Sequence, residues 1–135
     1  MTDRIELTRP DDWHLHLRDG PVLHDVVAAT ARVFARAIVM PNLKPPVTTT
    51  ALAAAYRQRI ADAAPPGVGF TPLMTLYLTD NTDAREIARA AASGFVHAVK
   101  YYPMGATTHS DAGVTALERV YPALAAMEKH ALVLS

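Results

Sequence analysis

Trp13-His14-Leu15-His16-Leu17-Arg18 alternates bulky apolar residues with basic ones. That is the period of a β-strand, in which successive side chains point to opposite faces. On this reading His14, His16 and Arg18 share one face, while Trp13, Leu15 and Leu17 point the other way, toward covering helices. Basic groups set side by side on a buried strand repel one another and are poorly solvated. A divalent metal relieves the conflict, because neutral imidazoles can serve as ligands. An arginine beyond them can hold a carboxylate through a two-pronged hydrogen bond. A polar face on an edge strand is the plainer reading of the same residues, and both stand at this point.

Working outward, short apolar strands alternate with longer amphipathic segments. The spacing of Leu23, Val26, Val27, Thr30, Ala31 and Phe34 predicts a helix over 22–34. A second strand over 36–42 stops before Pro45-Pro46. Thr48-Thr49-Thr50 offers hydroxyl caps for the next helix, whose expected face is Leu52, Ala55, Tyr56, the stem of Arg59, Ile60 and Ala63. Pro65-Pro66-Gly67 ends it. A third strand is expected over 70–79. A third helix opens at Asp83, with Glu86 placed as in a capping box, and Gly94 closes it. A fourth strand spans 95–102. After a loop over 103–111 comes a fourth helix over 112–129, bent or divided at Pro122. Ala131–Leu134 then reads as a fifth strand.

Repeated strand–helix–strand units imply an α/β fold with a parallel sheet. An open doubly wound sheet and a (β/α)₈ TIM-type barrel both fit this pattern. The barrel is favoured because polar residues recur at the C-terminal ends of successive strands, where barrels carry their sites. A complete barrel takes about 250 residues, and this chain has 135. The expectation is therefore the N-terminal half of a (β/α)₈ barrel: about four βα units and the start of a fifth strand, as one incomplete domain over 1–135.

Composition narrows the function classes. Lysine plus arginine number 13 and aspartate plus glutamate 13, so the formal net charge is zero. That gives no support for a nucleic-acid or anionic-membrane partner. Cysteine is absent, which excludes disulfides and thiolate metal sites and leaves histidine, carboxylate or modified lysine as ligands. The first residues lack the apolar stretch of a secretory signal, and no apolar run is long enough to span a bilayer. A soluble, cytoplasmic protein is expected.

Two further residues stand out. Lys100 lies in Phe95-Val96-His97-Ala98-Val99-Lys100-Tyr101-Tyr102-Pro103. Alternation puts Val96, Ala98, Lys100 and Tyr102 on one face and Phe95, His97, Val99 and Tyr101 on the other. Desolvation disfavours an ammonium group there, and a neutral amine can add carbon dioxide. The resulting carbamate has two oxygens able to bridge a pair of metal ions. A lysine that snorkels to solvent is the plainer reading. Asn42, in Met40-Pro41-Asn42-Leu43, is placed either to meet a substrate carboxylate beside Arg18 or simply to form a turn. His24, His97, His109 and His130 read as structural or solvent-exposed, His109 least securely because its loop follows a strand.

Taken together, these segments resemble the dihydroorotase family, in its bacterial single-function form, within the amidohydrolase superfamily. The matching text includes Arg9-Pro10-Asp11-Asp12-Trp13-His14-Leu15-His16-Leu17-Arg18-Asp19-Gly20, Ala37-Ile38-Val39-Met40-Pro41-Asn42-Leu43 and Pro45-Pro46-Val47-Thr48-Thr49. It continues through Phe70-Thr71-Pro72-Leu73-Met74-Thr75, Lys100-Tyr101-Tyr102-Pro103, Ala106-Thr107-Thr108 and Gly113-Val114-Thr115. The resemblance implies a (β/α)₈ barrel holding two zinc ions. His14 and His16 would be ligands to the more buried ion, and Lys100, carbamylated by CO2, would bridge both as a catalytic residue. His16, Arg18 and Asn42 would bind substrate, with the last two on its carboxylate. The implied reaction is the reversible closure of N-carbamoyl-L-aspartate to (S)-dihydroorotate in de novo pyrimidine synthesis. The resemblance suggests a homodimer for the full-length protein. The family's remaining ligands and its general base come from later strands, so the expectation is an N-terminal fragment, inactive alone. A related cyclic-amide hydrolase, of the dihydropyrimidinase or allantoinase kind, and a non-catalytic barrel module remain as alternatives. Arg18 argues against the former.

Overall fold

The computed structural model describes residues 3–106 and 109–135. Five parallel strands follow the chain order: β1 (Asp11–Leu15), β2 (Arg36–Val39), β3 (Thr71–Tyr77), β4 (Val96–Lys100) and β5 (Val133–Leu134). Between them lie α1 (Leu23–Val33), α2 (Thr50–Ala63), α3 (Ala84–Ala92) and α4 (Tyr121–Lys129). The strand order never reverses. Crossovers of one hand then place every helix on the same side of the sheet, whereas a doubly wound sheet needs a reversal to cover both faces. The result is an α/β half-barrel.

The core fills the helix side of this sheet. Val39, Met74, Leu76 and Val99 from the strands meet Val27, Tyr56, Ile60, Ile87 and Met127 from the helices. α1 buries Leu23, Val27, Thr30 and Ala31, in keeping with its spacing. α2 starts at the cap read from the sequence, the Thr49 hydroxyl accepting from the backbone N–H of Leu52 at 3.2 Å. Its buried face differs from the expected one: Ala53, Tyr56 and Ile60 are buried, while Leu52 is 43% exposed and Ala55 also faces solvent. Burial of a side chain such as Ile60 contributes about 1.5–3 kcal/mol.

α3 opens on Asp83, whose carboxylate accepts from the Glu86 backbone N–H at 2.7 Å. The capping box is only half formed. The Glu86 carboxylate reaches instead to α2, accepting from the backbone N–H and the hydroxyl of Thr50, both at 2.6 Å. A residue expected to cap its own helix thus caps its neighbour and ties the two together. The fourth helix is also shorter than expected. Val114 forms a bridge with Pro103, a 3₁₀ turn covers Leu117–Val120, and α4 begins only at Tyr121 with Pro122 in its first turn. Proline suits that position because its missing N–H would have no intrahelical partner there; it starts the helix rather than bending it.

Two irregularities change which residues face where. Between β1 and β2 the register runs Asp12↔Ala37 and then Leu15↔Val39, which leaves one extra residue on β1. Between β3 and β4, Met74↔Val96 is followed by Thr75↔Ala98, with an extra residue on β4. Such bulges break strict alternation. Trp13, expected under the helices, is 66% exposed. With Ile38, Leu73, His97 and Val133 it lines a hollow of about 610 Å³. Those sheet residues alternate with the helix-facing ones, so the hollow lies on the barrel-interior side. Val96, expected beside Lys100, joins Val99 in the helix-side core.

Candidate active site

The residues singled out in the sequence gather at the C-terminal ends of the strands. His14 and His16 flank the end of β1, Asn42 follows β2, and Lys100 closes β4. In β/α barrels this rim carries the chemistry, because loops there vary over a fixed scaffold. β1 is an edge of the sheet, and His14, His16 and Arg18 are exposed rather than buried as expected.

His14 lies within the β1 irregularity and His16 beyond it, and their side chains nevertheless converge. Their Nε2 atoms are 3.2 Å apart, with ring centroids 5.2 Å apart and planes tilted by 44°. Without a cation, one ring donates its N–H and the other accepts. With both Nε2 atoms deprotonated, two lone pairs point into one space. For a zinc–nitrogen distance of about 2.05 Å, a 3.2 Å separation subtends about 103° at the ion, close to tetrahedral. Partial desolvation holds the His16 imidazole below its usual pKa, aided by the nearby charges of His14, Arg18 and Lys100. The neutral ring is the form a metal binds.

Lys100 is 9% exposed. Its Nζ donates to the Ser135 hydroxyl at 3.4 Å and lies 5.0 Å from the centroid of the Tyr102 ring. Tyr102 shares the Lys100 side of the strand, as alternation predicts, and packs 6.1 Å from Tyr77. Burial pushes the Tyr77 hydroxyl pKa up, with Tyr102 and Asp111 adding to it. Among the described residues no carboxylate pairs with Lys100. Conversion of this amine to a carbamate would turn it into a metal ligand. Among the described residues no group of three His, Asp or Glu side chains is arranged to hold a metal. The donor set is two imidazoles, and a third donor must be supplied by modified Lys100 or from outside these residues. On donor chemistry and Nε2 separation, the pair fits a zinc ion.

Beside it lies a cavity of about 210 Å³ lined by Arg18, Asp19, Asn42, Leu43, Lys44 and His109. Arg18 and Lys44 contribute positive charge. The Asp19 carboxylate is already engaged by Arg59, at 2.8 and 3.1 Å. Hydrogen bonding from Arg59 outweighs burial and, with the Gly20 N–H, holds the Asp19 carboxyl below its ordinary pKa. The remaining charge suits an anion. Asn42 is 5% exposed, and its Oδ1 is buried without a hydrogen-bond partner among the described residues. Buried amide oxygens almost always find a donor, so this one points to a ligand that carries an N–H or O–H.

Lys44 was not singled out in the sequence, and His109 was read as structural. His109 joins the cavity because its loop folds back over the strand ends, its carbonyl accepting from the Tyr77 hydroxyl at 3.3 Å. Only its position after the fourth strand could have indicated this. His24, His97 and His130 are exposed and stand apart from this cavity. Thr107 and Thr108, quoted with Ala106 in the family resemblance, lie outside the described residues.

No protein-family model matches the chain. Curated relatives do. A dihydroorotase from Cupriavidus necator is 68% identical over 134 residues, covering 99% of this chain and 39% of the relative. One from Halorhodospira halophila is 67% identical over 132 residues, covering 98% and 38%. Among solved structures, a dihydroorotase from Campylobacter jejuni superposes with a TM-score of 0.85 at 38% identity, over 93% of this chain and 37% of that one. The Saccharomyces cerevisiae dihydroorotase in complex with 5-fluoroorotic acid gives 0.87 at 35% identity, over 96% and 36%. The chain spans about two-fifths of the length of the curated relatives it matches. Along nearly all of its own length it is similar, in sequence and in fold, to the N-terminal portion of dihydroorotases.

Proposed function

We propose that residues 1–135 form the opening part of a single dihydroorotase barrel domain, which interconverts (S)-dihydroorotate and N-carbamoyl-L-aspartate. The observation that carries this reading is the convergence of the His14 and His16 Nε2 atoms, 3.2 Å apart, next to a cationic cavity whose wall holds Asn42, with its amide oxygen unpartnered among the described residues. His14 and His16 would hold zinc, joined by Lys100 as a carbamate, formed when its Nζ adds carbon dioxide through a new N–C bond and releases a proton. Zinc, when bound, would supply Lewis-acid polarisation and lower the pKa of water. The Arg18 guanidinium and the Asn42 Nδ2 amine would grip the substrate carboxylate, with the Asn42 Oδ1 left to accept from a substrate N–H, and so orient the ring amide toward the histidine pair, with His16 between the two regions. Residues beyond this segment provide the remaining ligands and the general base. The reading carries with it a cytoplasmic location and a homodimer. Among the described residues no helix is long and apolar enough to cross a membrane.

A direct test uses a chimera in which these residues replace the matching segment of the 68% identical relative, so that the barrel is complete. Zinc-loaded chimera should turn over dihydroorotate and be far slower on dihydrouracil, which lacks the carboxylate. Preference for dihydrouracil would identify a different cyclic-amide hydrolase. A metal-free, inactive protein with unmodified Lys100 would identify a scaffold.

A further inference from the structure

Arg18 has φ 64°, a left-handed conformation that residues with side chains rarely adopt. Two side chains of α2, one helical turn apart and so on the same face, grip this bend. Tyr56, fully buried, donates its hydroxyl to the carbonyl of Arg18 itself. Arg59 engages the Asp19 carboxylate with Nε at 3.1 Å and Nη2 at 2.8 Å, and its guanidinium lies 5.3 Å from the Tyr56 ring centroid. Asp19 in turn accepts from the Gly20 N–H at 2.9 Å, which fixes the chain as it leaves the bend.

A phenylalanine would fill the core at Tyr56 equally well, so the hydroxyl is the feature that needs a purpose. A buried phenol must find an acceptor. The acceptor here is the backbone of a strained residue that itself lines the cavity with Asn42. We propose that Tyr56 is a positioning residue for the substrate carboxylate: by holding the Arg18 carbonyl it fixes the left-handed bend that presents the Arg18 guanidinium to the Asn42 cavity. This rests on the carboxylate-binding role given to Arg18 above. Without the hydroxyl, the Arg18 peptide can relax toward ordinary φ values and carry the guanidinium out of register. The reacting amide lies elsewhere, so binding suffers and the chemical step does not.

The test compares steady-state kinetics on dihydroorotate for the zinc-loaded chimera and its Tyr56→Phe, Arg18→Met, Tyr56→Phe/Arg18→Met and Ile60→Val variants. Tyr56→Phe should raise KM about three- to tenfold, the weight of one hydrogen bond, with kcat within about twofold of the parent. Ile60→Val perturbs the same buried helix face without touching Arg18 and should leave KM unchanged. In the Arg18→Met background, Tyr56→Phe should raise KM no further, because the group it positions is gone. Unchanged KM in Tyr56→Phe, or an equal rise with and without the Arg18 guanidinium, would overturn the positioning role while leaving the proposed activity intact. A parent chimera with no turnover of dihydroorotate would overturn both.

Discussion

Replacing Asn42 by leucine separates a functional asparagine from a turn-forming one, because the two roles predict opposite signs. Asn42 is 5% exposed and its Oδ1 has no donor among the described residues. Such an unsatisfied buried acceptor costs about 1–3 kcal/mol. Leucine is similar in size and removes that cost, while the shape mismatch returns up to about 1.5 kcal/mol. The expected net effect is a gain of about 1 kcal/mol in the stability of the unliganded protein. Function moves the other way. A hydrogen bond to a charged group is worth about 1.5–3 kcal/mol, so dihydroorotate binding should weaken about ten- to a hundredfold. Urea unfolding of the completed barrel, with equal m-values required for the comparison, gives the stability change, and KM gives the binding change. Saturating substrate analogue should also stabilise the parent more than the variant. If Asn42→Leu instead loses more than about 1 kcal/mol and keeps its KM, the amide is satisfied in the folded protein and serves the turn before Pro45-Pro46.

Lys100→Ala in the completed barrel should abolish most turnover, and short carboxylic acids added to the assay should restore part of it by standing in for the carbamate; near-parental activity without additive would contradict the bridging role. Glu86→Ala should destabilise the fold by about 2–4 kcal/mol in urea unfolding, mainly through the lost charge-assisted bonds from Thr50, because the Arg89 guanidinium is 60% exposed and its pair adds less. A loss below about 0.5 kcal/mol would show that the α2–α3 tie is dispensable. Burial raises the Glu86 pKa, but the hydrogen bonds from Thr50 and the Arg89 guanidinium outweigh it and hold the carboxyl below its ordinary 4.5. Its stabilisation is therefore complete above that value and lost as pH falls through the lower folded-state value. The stability difference between parent and Glu86→Gln should accordingly be larger at pH 7 than near pH 3, and an unchanged difference would refute the linkage.

Local chemistry made much of the fold readable. Apolar alternation located all five strands, and Thr49 and Asp83 marked helix starts because their side chains bond their own first turns. The His14–His16 pair was legible because the two imidazoles meet even though His14 lies within the β1 irregularity. Trp13 and Val96 were placed on the wrong faces for the same reason that bulges are hard to read: one unpaired residue shifts the alternation, and neither Trp13-His14 nor Val96-His97 carries a glycine or proline to announce it. Other features depend on distant partners. Glu86 has the spacing of a capping box, yet Thr50, far away in sequence, competes successfully for its carboxylate. Tyr56 reads as a core residue until its hydroxyl is seen on Arg18. Lys44 and His109 join the cavity of Arg18 and Asn42 only through the folding of two loops.

The most direct measurement is anomalous X-ray diffraction at the zinc edge from crystals of the completed barrel. The account predicts one zinc peak at bonding distance from both the His14 and His16 Nε2 atoms, a second nearby, and continuous density for a carbamate on Lys100 linking the two. Zinc bound elsewhere, or an unmodified Lys100 directed away from the histidine pair, would contradict it.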